Sequence, residues 1–150
     1  MDHSILAGDL FLGGYNCSQS VAVAFCDVTG LDKDFAARMA SSFGGGMGRQ
    51  REVCGAVSGM LMVLGLLYGY DTPGDDVSKK HHYQDIQALC GAFREEVGSI
   101  VCREILKNPP SDPNPSPRTA EYYAQRPCAR MVMIAANILD EYIREHPVEK

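Results

Sequence analysis

Positive charge is scarce in this sequence and forms no run. There are 14 Lys and Arg against 19 Asp and Glu, which gives a formal net charge of -5 at pH 7. Because the two signs are mixed along the chain, there is neither a basic stripe for nucleic acid nor a polybasic patch for a membrane surface. The composition argues against nucleic-acid binding and predicts an ordinary soluble protein.

None of the six cysteines belongs to a Cys-x-x-Cys pair, and no Cys-x-x-Cys-His sequence is present. The first absence excludes a thioredoxin-type redox pair, and the second excludes covalently attached haem. The first residues, MDHSILAGDLFLGG, contain Asp2 and Asp9 where a secretory signal needs a basic patch and an unbroken apolar segment. We therefore expect a cytoplasmic protein, in which cysteines are reactive thiols or metal ligands rather than permanent disulfides.

The sequence also lacks the period-two alternation of apolar and polar residues that marks β-strands. Its apolar residues recur instead at helical spacing, for example at Ile86, Leu89 and Phe93. A chain of 150 residues is typical of one domain. We therefore predict an all-α fold, a single domain over residues 1–150 that forms a bundle of about seven or eight helices.

Capping and helix-breaking residues set the predicted helix bounds. Asn16 and Asp32 are good N-caps, and Gly30 and Gly98 are expected to end helices. Residues 108–117 contain five prolines, so we expect an extended surface arm there, whose role the sequence does not reveal. The predicted helices span residues 4–12, 17–28, 31–43, 51–70, 76–97, 99–107, 119–125 and 127–146.

The segment of residues 53–70, VCGAVSGMLMVLGLLYGY, has no charged residue. About 18 apolar residues are the lower limit for a membrane span, but glycines, Cys54 and Ser58 dilute this segment. We predict a buried central helix over residues 51–70, around which the other helices pack, and not a membrane span. Pairs of glycines four residues apart are expected to form grooves for another backbone: Gly55 with Gly59, and Gly65 with Gly69.

Four of the six cysteines stand at or near predicted helix starts: Cys17, Cys54, Cys102 and Cys128. The free N–H groups and the macrodipole at a helix start favour an anion. We therefore expect the pKa of each of these thiols to lie below its usual value of about 8.5. The other two, Cys26 and Cys90, are expected to be buried as small hydrophobic residues.

These four cysteines fall on alternate helices of the predicted bundle. If short loops make successive helices antiparallel, every second helix starts at the same end of the bundle. We therefore expect the four thiols to converge on one site.

The sequence FGGGMGRQRE, residues 43–52, precedes the central helix. Its glycines let the backbone turn sharply and come close to a ligand. Arg49 and Arg51 stand where the helix dipole favours acidic residues, which marks a functional end and favours a thiolate or an anionic ligand. The residues expected to bind a cofactor are Gly44, Gly45, Gly46, Gly48 and Arg49.

Several features occur together in this chain: Asn16-Cys17, the glycine loop of residues 43–49, the CGAVSG box of residues 54–59, Cys102 and Cys128. With these features the chain resembles the C-GCAxxG-C-C family of redox-active proteins over nearly its whole length. The resemblance implies redox chemistry at Cys17, Cys54, Cys102 and Cys128. Family members tend to be encoded near transporter genes, which implies a membrane transporter or a redox protein as partner.

The chain is also similar to the helical part of split-Soret cytochromes, although it lacks their haem attachment motif. That similarity implies an iron–sulfur site as an alternative.

Three hypotheses of function remain open. In the first, the four thiols carry dithiol/disulfide or electron-transfer chemistry, as in a thiol oxidoreductase, with Cys54 as the most activated nucleophile. In the second, the same four cysteines bind an iron–sulfur cluster or zinc. In the third, the protein is an accessory of a transporter, docked through residues 108–117 or a glycine groove. The sequence leaves the substrate, the electron partner and the oligomeric state open.

The sequence predicts opposite effects for two kinds of Cys→Ser variant. Ser at position 17, 54, 102 or 128 is expected to disable the shared site while the fold persists, because Ser is tolerated at helix starts. Cys90→Ser is expected to lower the free energy of unfolding by about 1–3 kcal/mol, with little effect on the thiol redox titre. Thermal melts and thiol titration measure both effects, and melts with and without a chelator detect a bound metal.

Overall fold

The structure is a computed structural model that describes residues 2–148. The predicted domain also includes residues 1, 149 and 150, which lie outside the described residues. Within residues 2–148 the chain forms helices and an isolated bridge between Val53 and Val101, and no strand. The all-α prediction is therefore confirmed.

The helices have the following bounds: α1 (His3–Leu12), α2 (Cys17–Ala24), α3 (Cys26–Thr29), α4 (Lys33–Ala40), α5 (Gly55–Tyr68), α6 (Asp76–Val97), α7 (Cys102–Ile105), α8 (Ala120–Gln125) and α9 (Cys128–Glu145). Between α4 and α5 lie a 3-10 turn, Ser41–Phe43, and a short glycine turn, Gly44–Met47.

Side-chain caps explain where several helices begin. At the start of α2 the Gln19 amide donates to Asn16 Oδ1 at 2.8 Å, and the Asn16 amide donates to Gln19 Oε1 at 3.1 Å, a reciprocal capping box. Asp32 accepts from the Phe35 amide at 3.1 Å at the start of α4. Both caps are as the sequence predicts.

Besides the central helix, three predicted helices are broken or shortened in the structure. The helix predicted over residues 17–28 breaks at Phe25, which has φ -99° and ψ 13°, and continues as α3 until Gly30. The helix predicted over residues 31–43 gives way to a 3-10 turn after Ala40. The helix predicted over 99–107 is the short α7, because Ser99 Oγ accepts from the Val101 amide at 2.9 Å and caps a turn instead.

Helix α5 is the central helix, but it is shorter than predicted and buried mainly through its first half. It spans Gly55–Tyr68 rather than residues 51–70, and it packs against α2, α6 and α9. Met60 and Leu64 are fully buried, whereas Leu66 near the other end is 50% exposed. None of the helices within residues 2–148 combines the length and the apolar character needed to cross a membrane.

The two glycine pairs of the central helix differ in what they contact. A Cβ on Gly55 would overlap the Cys17 sulfur, and a Cβ on Gly59 would lie 2.6 Å from the Ser18 carbonyl oxygen. By contrast, a Cβ on Gly65 would meet nothing within 4 Å. The predicted groove therefore exists at Gly55 and Gly59, where α2 fills it, and not at the second pair.

The loop before α5 contains a left-handed turn. Residues 45–49 all have positive φ, from 65° at Gly45 to 69° at Arg49. For a residue with a Cβ, this conformation costs about 1–2 kcal/mol, because the Cβ crowds the following carbonyl. Glycine occupies three of these five positions, which explains why the loop is glycine-rich.

Two alanine substitutions on the same helix are expected to have opposite effects on stability. Gly59→Ala should lower the free energy of unfolding by about 1–3 kcal/mol, because the new methyl group would overlap the Ser18 carbonyl. Gly65→Ala is the matched control and should raise it by about 0.5–1 kcal/mol, since alanine favours helix and the site is open. Urea unfolding of both variants tests this, and similar effects at the two positions would contradict the packing described.

Candidate functional site

Two loops pair over a few residues and bring the starts of α5 and α7 side by side. Val53 and Val101 form an antiparallel bridge. The Cys54 amide donates to the Ile100 carbonyl at 2.7 Å, and the Cys102 amide donates to the Glu52 carbonyl at 2.6 Å. The pairing places Cys54 opposite Ile100 and Cys102 opposite Glu52, so these two cysteines, which are far apart in the sequence, lie at diagonal positions of the paired segments.

A cavity of about 310 Å³ lies where α2, α5, α7 and α9 begin. Three cysteines are the first residues of α2, α7 and α9, and the fourth is the residue immediately before α5. All four line the cavity: Cys17, Cys54, Cys102 and Cys128. The structure thus brings together the four cysteines that the sequence singles out.

The glycine loop forms another wall of this cavity. Gly44, Gly45, Gly48 and Arg49 line it. Gly46 does not: a Cβ there would lie 2.7 Å from the Glu52 amide nitrogen and 2.8 Å from the Cys102 Cβ. Gly46 therefore lets the loop pack closely against the paired segments, and its role as a binding residue stays a prediction.

Burial raises the pKa of three of the cavity thiols, contrary to the prediction. It raises the pKa of Cys128 to about 12 and holds the pKa values of Cys17 and Cys54 well above their usual value. The amide groups of Ala56 and Val57 at the start of α5 lower the pKa of Cys54, but burial is the larger effect. The desolvation of a buried thiolate is more unfavourable than its interaction with a helix N-terminus is favourable. The expectation that Cys54 is an activated nucleophile is therefore wrong for the thiol as it is buried here.

Cys17, Cys54 and Cys102 are also as deeply buried as Cys90 in the core: their exposed fractions are 7%, 6% and 6%, against 6% for Cys90. Because these positions are as buried as Cys90, Ser there is expected to lower the free energy of unfolding as well. The thiol redox titre, more than the melting temperature, therefore distinguishes Ser variants of the cavity cysteines from Cys90→Ser.

The proline-rich arm of residues 108–117 is held against the cavity by two arginines. Arg49 Nε donates to the Asp112 carbonyl at 2.8 Å, and Arg49 Nη1 donates to Ser116 Oγ at 3.0 Å. Arg51 Nε donates to the Pro110 carbonyl at 2.9 Å. The arm contains no helix or strand, as predicted, but it bends at residues 112–114 and forms a wall of the site through Pro113, Pro115 and Ser116.

The remaining two cysteines do not belong to this cavity. Cys90 is buried in the core, and Cys26 is half-buried with its thiol 3.8 Å from the Ala22 carbonyl. All six cysteines are free thiols. Within residues 2–148, no three His, Cys, Asp or Glu side chains are placed to hold a metal ion. As they are placed within residues 2–148, the thiols therefore do not form a zinc site.

Two further arginines line the cavity and were not singled out from the sequence, Arg118 and Arg126. Arg118 donates to the carbonyls of Phe11 and Tyr15 at 3.1 and 3.2 Å. The guanidinium carbons of Arg118 and Arg126 lie 5.2 and 5.3 Å from the centre of the Tyr122 ring. Both residues follow the proline-rich arm, and no local pattern in the sequence marks them.

Comparison with known proteins gives one family match. The family model described as "Putative redox-active protein (C_GCAxxG_C_C)" matches residues 15–142, a range that includes all four cavity cysteines. No curated protein and no solved structure matches the chain.

The reduced protein is expected to lose stability as the pH rises above about 9. The unfolded chain releases a thiol proton near its usual pKa of about 8.5. Burial keeps the proton on Cys54 in the folded protein, so higher pH favours the unfolded state. Each such thiol lowers the free energy of unfolding by about 1.4 kcal/mol per pH unit between its two pKa values. Urea unfolding with a phosphine reductant, between about pH 8 and 10, measures this slope.

The control is Cys54→Ala, which removes one buried thiol. Its stability should fall less steeply with pH than that of the unsubstituted protein. Parallel slopes would show that the pKa of Cys54 is not raised in the folded state.

Proposed function

The chain belongs to the C_GCAxxG_C_C family of redox-active proteins, and from that premise we propose that its four cavity cysteines cycle between dithiols and disulfides. Cys17, Cys54, Cys102 and Cys128 are the redox-active residues of this proposal. The protein would act as a thiol oxidoreductase or as an electron carrier.

The observation that supports the proposal most is the separation of the cysteines into two groups. Four cysteines from four helix starts line one cavity, whereas Cys26 and Cys90 lie elsewhere. Apolar packing alone does not explain why four thiols line one cavity. A site that exchanges electrons through disulfides needs thiols close together, because each disulfide joins two sulfurs.

Each disulfide that forms in the cavity is a two-electron oxidation. Formation of one disulfide removes two protons and two electrons from two thiols, and a disulfide substrate that accepts them becomes two thiols. The four cavity cysteines therefore exchange at most four electrons. The thiolate is the attacking species in such exchange, and burial raises the pKa of Cys54, so the buried thiols are expected to react slowly.

Cysteines that cycle between dithiols and disulfides need a partner that accepts or supplies electrons. We infer a redox partner protein that carries the exchanged disulfide, and a reducing compartment such as the cytoplasm, which six free thiols fit. In the transporter hypothesis, the groove at Gly55 and Gly59 is already filled by α2, so a docking partner would engage residues 108–117.

Mild oxidation with diamide is expected to remove the four cavity thiols in pairs while Cys26 and Cys90 stay reduced, because only the cavity thiols have other thiols beside them. Exposure alone predicts a different order, since Cys26 is more exposed than Cys17 or Cys54. Acid quenching, alkylation and mass spectrometry of the peptides measure the loss at each cysteine.

Two serine variants give a matched comparison. Cys128→Ser should lose fewer thiols on oxidation than the unsubstituted protein, because one sulfur has lost its partner. Cys26→Ser should lose as many as the unsubstituted protein. Oxidation of Cys26 and Cys90 at the same rate as the other four would refute the proposal.

Metal content distinguishes the iron–sulfur or zinc alternative. Protein purified without oxygen that holds stoichiometric iron or zinc, released when Cys54 or Cys102 is replaced by Ser, would replace the dithiol proposal with a four-cysteine metal site.

A further inference from the structure

The cysteine cavity is positively charged, although the protein as a whole has a net charge of -5. Among the residues of 2–148 that line it there is neither Asp nor Glu, and there are four arginines: Arg49, Arg51, Arg118 and Arg126. Positive charge concentrated in a concave site attracts an anion.

Three of these arginines are engaged by groups of the protein. Arg49 is bonded to the proline-rich arm and lies 3.9 Å from the exposed Asp112 carboxylate. Arg118 donates to two carbonyl groups at the end of α1, and Arg126 stacks near Tyr122. Their positive charges are only partly neutralised, but Arg49 and Arg118 have donors in use and Arg126 has a cation–π contact.

Arg51 is different, because it is buried without a counter-ion. It is 4% exposed, and it forms no ion pair with the described part of the chain. Its Nε donates to the Pro110 carbonyl, and its Nη1 lies 3.7 Å from the Cys102 sulfur. Its Nη2 is buried with no hydrogen-bond partner among residues 2–148. A buried guanidinium with an unused donor is unfavourable unless something else satisfies it.

The backbone of Arg51 is strained as well. Its φ is 63°, a left-handed conformation that is unfavourable for a residue with a Cβ. The preceding glycine turn and the pairing of residues 51–54 with 100–103 hold it there. The fold therefore keeps a strained, buried and incompletely paired cation beside a thiol.

The rest of the cavity wall is largely apolar, with Phe11, Ile105, Leu106 and Met131 among its lining residues. Its volume of about 310 Å³ is at the lower end for small-molecule sites. An occupant of matching chemistry has a negatively charged oxygen group for Arg51 and an apolar part for this wall.

We propose that the cysteine cavity binds a small organic anion, a carboxylate or another oxyanion with an apolar end, through the Arg51 guanidinium. The unused Nη2 of Arg51 can donate to a carboxylate oxygen while Nε and Nη1 keep their present partners, and a charged acceptor makes that bond stronger than a neutral one. This inference rests on the proposed function in one respect, since the anion is taken to be the small-molecule substrate or ligand of the thiol site. The binding itself needs no redox step.

Benzoate and benzamide are matched probes, because they have nearly the same size and only benzoate carries a charge. Calorimetric titration of the reduced protein should show saturable binding of benzoate and at least tenfold weaker binding of benzamide. Sodium chloride at the same ionic strength should not reproduce the benzoate signal. Sulfate should compete with benzoate for the Arg51 guanidinium.

Substitutions of Arg51 test whether this residue binds the anion. Arg51→Gln should weaken benzoate binding at least tenfold, Arg51→Lys should weaken it less, and Arg144→Gln on the exposed end of α9 should leave it unchanged. Equal binding of benzoate and benzamide, or unchanged benzoate binding in Arg51→Gln, overturns the proposal.

A second measurement uses the unsubstituted protein, in case Arg51→Gln does not fold. Benzoate should protect the backbone amides around Arg51 from hydrogen exchange and leave exchange around Arg144 unchanged, as read by peptide mass spectrometry. No protection at Arg51 overturns the proposal.

The outcomes are separable from those of the redox test. Loss of benzoate binding with paired oxidation of the four cavity thiols would end this inference and leave the proposed function standing. Benzoate binding with oxidation spread over all six cysteines would do the reverse.

Discussion

The close packing of α5 on α2 is the contact on which the geometry of the site depends. The backbones approach at Gly55 and Gly59, where a Cβ would overlap the Cys17 sulfur or the Ser18 carbonyl. Gly55 directly follows Cys54, so the same contact that holds the central helix also places Cys17 beside Cys54. The pairing of Val53 with Val101 then brings Cys102 to the same place. Core packing and the position of the thiols are therefore two results of the same close approach.

The electrostatics of the cavity follow from burial. Water exclusion raises the pKa values of Cys17, Cys54 and Cys128, so these thiols are neutral near pH 7. Arg51 remains charged when buried, because a guanidinium does not lose its proton in a protein. The reduced cavity thus holds positive charge without negative charge, which favours either a bound anion or a thiolate formed during exchange. The proline-rich arm, tied by Arg49 and Arg51, limits how water and reactants reach it.

Local chemistry could be read from the sequence, and properties of the assembled fold could not. The capping side chain of Asn16 is a local signal, and it places Cys17 at the first position of α2, as predicted. The raised pKa of Cys54 is not local, because it depends on the side chains that exclude water from the cavity. Gly46 and Gly44 look alike in the sequence, but only the fold shows that Gly46 packs against the paired loops. Arg118 reaches the site from a segment that no sequence pattern connects to the cysteines.

The central claim is that four of the six cysteines form one redox site. Digestion of the oxidised protein without reduction, followed by mass spectrometry of the disulfide-linked peptides, tests it most directly. The account predicts intramolecular links only among Cys17, Cys54, Cys102 and Cys128. Links that involve Cys26 or Cys90, or links found only between two protein molecules, would contradict it.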